Sequence, residues 1–326
     1  MMDFLPQGPL QDWISVSLGL VILLLAGDAL VKGAVNLSLR LGVPALIVSL
    51  TIVAFGTSAP ELLVAIQAIT EGVPGIALGN VVGSNTANVL LVLGIPALLA
   101  TLHTSECSTR KSYVQMLIAS VLFIVLCFFG PITWWHGLIL LTGLAFMIFT
   151  ALMDAKSHRK SCKGLADQED DVEGADPQLP GWRIAMFLVL GMIGLPLGAS
   201  LLVDGSVNIA RTFGMSETVI GLTLVAVGTS LPELATTVVA AIRRQADVAL
   251  GNVIGSNMFN LLAITGVASL VGPIPVDPGF LRFDLWIMLG ASLLLLPFVF
   301  FRQDITRGWG IALSALYVIY IVSVLV

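Results

Sequence analysis

Charge is what this sequence has least of. Lys, Arg, Asp and Glu together make up 11% of its 326 residues, against about 25% in an average soluble domain. Mean hydropathy is +1.00. So few charges cannot clothe a water-soluble globule, and the recurring apolar runs near 20 residues fit helices that cross a bilayer. The few basic residues are scattered, which leaves no face for nucleic acid. Cys107, Cys127 and Cys162 form no CxxC and no metal spacing, so neither a disulfide framework nor a thiolate site is expected. His103, His136 and His158 fall in loops or at span ends. With no HExxH and no Ser-His-Asp set, a hydrolytic enzyme is not expected, and no catalytic residue or cofactor is assigned. Met1 to Pro6 lack a basic n-region, so no cleavable signal peptide is expected.

What the chain does have is ten apolar spans. They run at about 11–39, 43–70, 73–100, 112–129, 132–151, 183–211, 215–242, 246–271, 283–301 and 307–326. Between the fifth and sixth lies one polar segment, basic at first (Lys156, His158, Arg159, Lys160, Lys163) and then acidic (Asp167, Glu169, Asp170, Asp171, Glu173, Asp176). The expected organisation is a first repeat over 1–153, a cytoplasmic acidic loop over 154–181 and a second repeat over 182–326. With the N-terminus outside, thirteen of the fifteen basic residues fall on the inner side, and only Arg211 and Arg282 fall outside. That asymmetry obeys the positive-inside rule. Trp13, Trp134, Trp135, Trp182, Trp286 and Trp309 lie near span ends, as an interfacial belt requires. Five spans per half is an odd number, so the second half enters the membrane from the opposite side. The expected fold is therefore an all-α membrane protein of two inverted five-helix repeats, with its site at the midplane.

The halves declare themselves in two motifs. Ala54-Phe55-Gly56-Thr57-Ser58-Ala59-Pro60-Glu61 returns 172 residues later as Ala226-Val227-Gly228-Thr229-Ser230-Leu231-Pro232-Glu233. Gly79-Asn80-Val81-Val82-Gly83-Ser84-Asn85 returns at the same offset as Gly251-Asn252-Val253-Ile254-Gly255-Ser256-Asn257. The repeated regions span 54–91 and 226–263. Pro60 and Pro232 carry no amide hydrogen and clash with the carbonyl four residues earlier, so each helix must kink or break in mid-span. The breaks should free carbonyls near Ala54, Thr57, Ala226 and Thr229. A carboxylate at the bilayer centre costs about 3 kcal/mol even on lenient insertion scales. Two at equivalent depths repel each other unless a proton or a cation intervenes.

Glu61, Glu233, the hydroxyls of Thr57, Ser58, Thr229 and Ser230 and the freed carbonyls are all oxygen ligands, which suit calcium and sodium rather than zinc or copper. Ser84 and Asn88 share a helical face, as do Ser256 and Asn260, and both pairs are expected to line the same cavity. The GxxxG spacing of Gly79 with Gly83 and of Gly251 with Gly255 also suits close helix packing. Asp28 and Lys32 in the first span and Asp204 in the sixth are expected to snorkel or to serve a gate.

With the two GTSxPE and two GNVxGSN motifs in place, the chain resembles the cation/calcium exchanger superfamily, and in particular its prokaryotic sodium/calcium exchangers. The resemblance extends over nearly the whole chain. It implies that Glu61 and Glu233 are the central carboxylates shared by calcium and sodium. Thr57, Ser58, Thr229 and Ser230 would flank them with the carbonyls of Ala54 and Ala226. Ser84 and Ser256 would complete outer sodium sites, and Asn88 and Asn260 would line the centre. Some members carry a carboxylate at one of the last two positions, whereas both are amides here, which leaves two carboxylates for one calcium. The implied activity is calcium-for-sodium antiport across a prokaryotic inner membrane by alternating access, with both termini outside. Exchange of calcium or another cation for protons is the alternative. The expected partners are the two ions and the lipid bilayer, with no obligate protein partner evident. A channel fits less well, because inverted repeats within one chain favour alternating access.

Overall fold

The computed structural model describes residues 9–104, 109–162, 176, 178–214 and 226–325. The described chain is helical throughout, apart from two isolated β-bridges. In chain order we number α1 Pro9–Leu41, α2 Ala45–Thr57, α3 Ala59–Thr70, α4 Gly75–Leu99, α5 Arg110–Phe128 and α6 Trp134–Cys162. There follow α7 Gly181–Thr212, α8 Ala226–Gly228, α9 Leu231–Ile242, α10 Ala246–Val271, α11 Pro278–Phe300 and α12 Arg307–Leu325. Eight of these are long and apolar enough to cross a membrane, and the bent pair α2–α3 makes a ninth span. The N-terminal part of the expected seventh span, 215–225, lies outside the described residues, as does the stretch 163–175 of the acidic loop. α6 continues past residue 153 to Cys162, so the linker expected from 154 starts as helix. Lys111 Nζ donates to Asp154 Oδ1 at 2.6 Å and holds that end of α6 against α5.

The 172-residue offset of the motifs governs the whole architecture. Adding it to α1 gives 181–213, within a residue of α7, and added to α3 it reproduces α9. The bridges follow it to within one residue: Leu102 pairs with Ile305 and Ile132 with Ile274, where Leu102 and Ile274 are 172 apart and Ile132 and Ile305 are 173 apart. Even the left-handed residues correspond. Gly72 (φ 79°) matches Arg244 (φ 56°), and Gly130 (φ 103°) matches Arg302 (φ 52°). Glycine is the residue that adopts this region without a Cβ penalty, whereas arginine there costs about 1–2 kcal/mol. Arg302→Gly is accordingly expected to be neutral or to stabilise by up to about 1 kcal/mol. Thermal unfolding in detergent reads this, and a loss above about 1 kcal/mol would contradict it.

α1 and α7 form a tight pair. Gly19 approaches the backbone of Gly198 and Leu202, Ala26 that of Gly191 and Gly194, and Asp12 that of Gly205. Partner numbers fall along α7 as they rise along α1, so these matching helices run antiparallel. A Cβ on Gly19 would lie 2.6 Å from Leu202 N, which only small residues at the seam permit. Leu23, Leu30 and Leu195 of the pair share one apolar cluster with Val48 and Val53 of α2, and Val31 and Val35 of α1 reach the larger core. That larger core, containing Val82, Leu93, Tyr113, Phe123, Val253 and Phe298, joins α4, α5, α10 and α11.

Candidate metal centre

The site is built by two helix breaks and the helices packed against them. α2 and α3 meet at Ser58 (φ −87°, ψ 3°) with a bend of 41°. Ser230 repeats that conformation (φ −90°, ψ 5°) before α9. Each break directly precedes a proline at the start of the next helix, where a missing amide hydrogen costs nothing. The carbonyls of Gly56 and Gly228 thereby lose their helical donors. The Ala54 carbonyl, expected to be freed, is engaged instead: it accepts from Ser58 N at 3.0 Å and from Thr57 Oγ1 at 3.3 Å. It would face a cation only by giving up the Thr57 hydroxyl. Ala226 opens α8, and its side chain lies outside what is described. A π-helical turn, Ser49–Val53, precedes the first break, and a second, Phe259–Ile264, carries Asn260. Such bulges re-aim side chains at functional sites.

The two motifs interlock across the repeats. Ser58 Oγ donates to Glu233 Oε1 at 3.2 Å. Thr57 Oγ1 lies 3.2 Å from Asn252 Oδ1 and 3.4 Å from Ser256 Oγ. Asn252 in turn donates to the Glu233 carbonyl and to Thr237 Oγ1. Close packing makes this possible. A Cβ at Gly255 would stand 2.6 Å from Ala54 Cβ, and one at Gly251 would stand 2.7 Å from Ser49 Cβ. Ser84 is buried one turn before Asn88, and Thr229 is partly buried beside Ser230.

Glu61 is 1% exposed and Glu233 is fully buried. Six buried oxygens here have no hydrogen-bond partner among the described residues: both of the Glu61 carboxylate, Glu233 Oε2, Asn88 Oδ1, Asn260 Oδ1 and Ser230 Oγ. Each buried unsatisfied group costs about 1–3 kcal/mol, and charged ones cost more. Together they would cost on the order of 10 kcal/mol, comparable with the whole stability of a folded domain. Water, a proton or a bound cation can meet such atoms, and where carboxylates stand among them a cation offsets the charge as well. Among the described residues no three His, Cys, Asp or Glu side chains gather into a metal site. What gathers is two carboxylates among neutral oxygens, a donor set for a hard cation.

Sequence reasoning passed over Asn80, Asn252, Asn85 and Asn257, although all four stand inside the duplicated motif. Periodicity follows the face of Ser84 and Asn88, whereas Asn252 meets Thr57 and the Glu233 carbonyl, Asn257 accepts from Asn88 and Asn85 accepts from Asn260. The two halves also differ. Thr237 holds the Asn252 amide, but the matching position is Ala65, and the Asn80 amide nitrogen has no partner among the described residues. Asp28 and Lys32 do more than snorkel: Asp28 pairs with Lys32 at 2.9 Å and also with Arg243, which follows α9. Asp204 accepts from Ser200 at 3.2 Å.

Comparison with known proteins meets this geometry directly. The sequence model of a family described as sodium/calcium exchanger protein matches residues 12–153 and 183–326. The chain belongs to that family. Exchangers of this family are transporters, not enzymes. The chain is 36% identical over 283 residues to the putative antiporter CaxA of Alkalimonas amylolytica, covering 87% of this chain and 88% of that protein. It is 35% identical over 341 residues to the sodium/calcium exchanger MaX1 of Methanosarcina acetivorans, covering 95% and 97%. Among solved structures it is similar to the sodium-calcium exchanger NCX_Mj soaked with sodium and strontium. The TM-score is 0.81 at 31% identity, over 97% of this chain and 99% of that one. Relatives in both sequence and fold are thus sodium/calcium exchangers, which supports cation/calcium antiport.

Proposed function

We propose that this exchanger moves calcium against sodium across a prokaryotic inner membrane by alternating access, through one site centred on Glu61 and Glu233. The observation that carries the proposal is the set of six buried oxygens with no partner among the described residues, three of them belonging to the two carboxylates. Two negative charges balance one divalent cation, and carboxylates with amide and hydroxyl oxygens reach the six to eight ligands calcium takes. Sodium uses fewer of the same oxygens. Each ion therefore excludes the other, and occupancy by one favours release of the other. Thr57, Ser58, Thr229, Ser230, Ser84, Ser256, Asn88 and Asn260 flank the carboxylates, joined by backbone carbonyls at the breaks.

The antiparallel pairing of α1 with α7 supports two inverted repeats of five spans, 1–153 and 182–326, joined by the loop 154–181. The smaller apolar cluster, which ties the pair mainly to α2 and α9, supports motion of that pair over the remaining helices. The asymmetry of basic residues supports termini outside and a cytoplasmic loop.

Counterflow is the test. Inside-out vesicles loaded with sodium are expected to accumulate calcium, and to stop when sodium is equal on both sides. Calcium flux indifferent to the sodium gradient would overturn the proposal. Uptake that follows an imposed pH gradient instead would make the protein a calcium/proton antiporter.

A further inference from the structure

The ligand amides are themselves held in one orientation. Asn85, Asn88, Asn257 and Asn260 are all buried at the centre of α4 and α10. Asn88 Nδ2 donates to Asn257 Oδ1 at 3.1 Å, and Asn260 Nδ2 donates to Asn85 Oδ1 at 3.4 Å. A carboxamide is planar, so tying down its nitrogen turns its oxygen the other way. The oxygens left over, Asn88 Oδ1 and Asn260 Oδ1, are two of the six unpartnered atoms of the site.

This works only if Asn85 and Asn257 are also fixed, oxygen toward the ligand amides and nitrogen away. Their nitrogens meet thioethers: Asn85 Nδ2 lies 3.7 Å from Met288 Sδ, and Asn257 Nδ2 lies 3.7 Å from Met116 Sδ. Asn257 Nδ2 also lies 3.4 Å from the Asn85 carbonyl. Every one of these partners can accept a hydrogen bond and none can donate one. A hydroxyl or amide in the place of methionine would satisfy either face of the asparagine. Sulfur satisfies only the nitrogen. Met116 and Met288 are 172 residues apart, as are Asn85 and Asn257, and Asn88 and Asn260. Both halves therefore use the same device, reciprocally, as a two-fold contact requires.

We propose that Asn85 and Asn257 are positioning residues, set by Met288 and Met116, that present the Asn260 and Asn88 amides to the ion by oxygen rather than by N–H. This rests on the reading of Glu61 and Glu233 as cation ligands. A reversed amide would aim its positive end at the cation and remove one ligand. Calcium, which takes more ligands than sodium in such a site, loses more.

Sodium-driven calcium uptake is measured in vesicles, and calcium-induced thermal stabilisation in detergent. Asn85→Leu is expected to raise half-saturating calcium about tenfold, the worth of one charge-assisted contact. The maximal rate should hold, while the calcium-free melting temperature falls modestly, because the buried Asn260 amide nitrogen loses its acceptor. The effect should vanish in an Asn260→Ala background and persist in Asn88→Ala, and Asn257→Leu should show the reverse. Equal effects of Asn85→Leu in both backgrounds would mean general packing and overturn the proposal. If Asn85→Leu does not fold, the near-isosteric Met288→Leu decides. It should weaken calcium severalfold except when Asn260 is alanine, and an unchanged calcium response would refute the assignment. Calcium stabilisation does not depend on transport. A wild type that is stabilised by calcium yet shows no counterflow would fail the exchanger reading alone. A wild type that calcium does not stabilise would fail both.

Discussion

Calcium exchange is expected to fall to background in Glu61→Gln and, separately, in Glu233→Gln. Each substitution keeps the shape of the side chain and removes one of the two charges that balance a divalent ion. Breaking a buried charge pair by removing one partner costs about 3–5 kcal/mol, which corresponds to at least a hundredfold in affinity. Calcium-free stability should move the other way or not at all. Both oxygens of Glu61 are buried with no partner among the described residues, and a neutral amide is cheaper to bury than a carboxylate. The two effects separate in a single instrument. Wild-type protein at calcium a hundredfold above its dissociation constant should gain about 2.7 kcal/mol, and the variants should gain nothing. Calcium exchange at the wild-type rate in either variant would remove that glutamate from the site.

The second large effect is expected at a residue with no ligand atom at all. Gly255 lets α10 press against the broken span: an added Cβ would stand 2.7 Å from the Leu50 carbonyl and 2.6 Å from Ala54 Cβ. Neither atom is the end of a flexible side chain, so Gly255→Leu must push α2 away from α10. Overpacking of this kind costs about 1–3 kcal/mol, occasionally more. The displaced segment carries Thr57 and Ser58, and Ser58 bonds Glu233. Calcium transport should therefore drop by on the order of a hundredfold in protein that still inserts, because a misplacement of about 1 Å spoils a preorganised site. Gly255→Ala should lie between wild type and leucine in both melting temperature and transport. A leucine variant with wild-type transport would show that the contact is not what positions the break.

These two positions differ in how far the sequence alone reveals them. Glu61 and Glu233 are legible without a structure, because a bilayer penalises carboxylates and the chain still places them twice after a Gly-Thr-Ser-x-Pro break. The glycines are half legible. Their GxxxG spacing says that something packs closely, but which helix and how near depend on contacts some 200 residues away in sequence. The Ala54 carbonyl shows the limit of local rules. Proline's missing hydrogen bond is predictable, yet Ser58 and Thr57 supply donors to Ala54 from within the same turn. The site asparagines make the same point. Periodicity selects Ser84 and Asn88 as a face, but it cannot say which end of an amide looks inward.

The sequence by itself determined that this is a membrane protein with a duplicated, proline-broken core and an oxygen-rich charge pair, since solvation costs and proline geometry act residue by residue. Only the tertiary structure decided how the two copies meet. Ser58 of one motif bonds Glu233 of the other, α1 lies antiparallel on α7, and two methionines set the direction of four amides. Those relations depend on distance and orientation between segments far apart in the chain, and no local pattern encodes them.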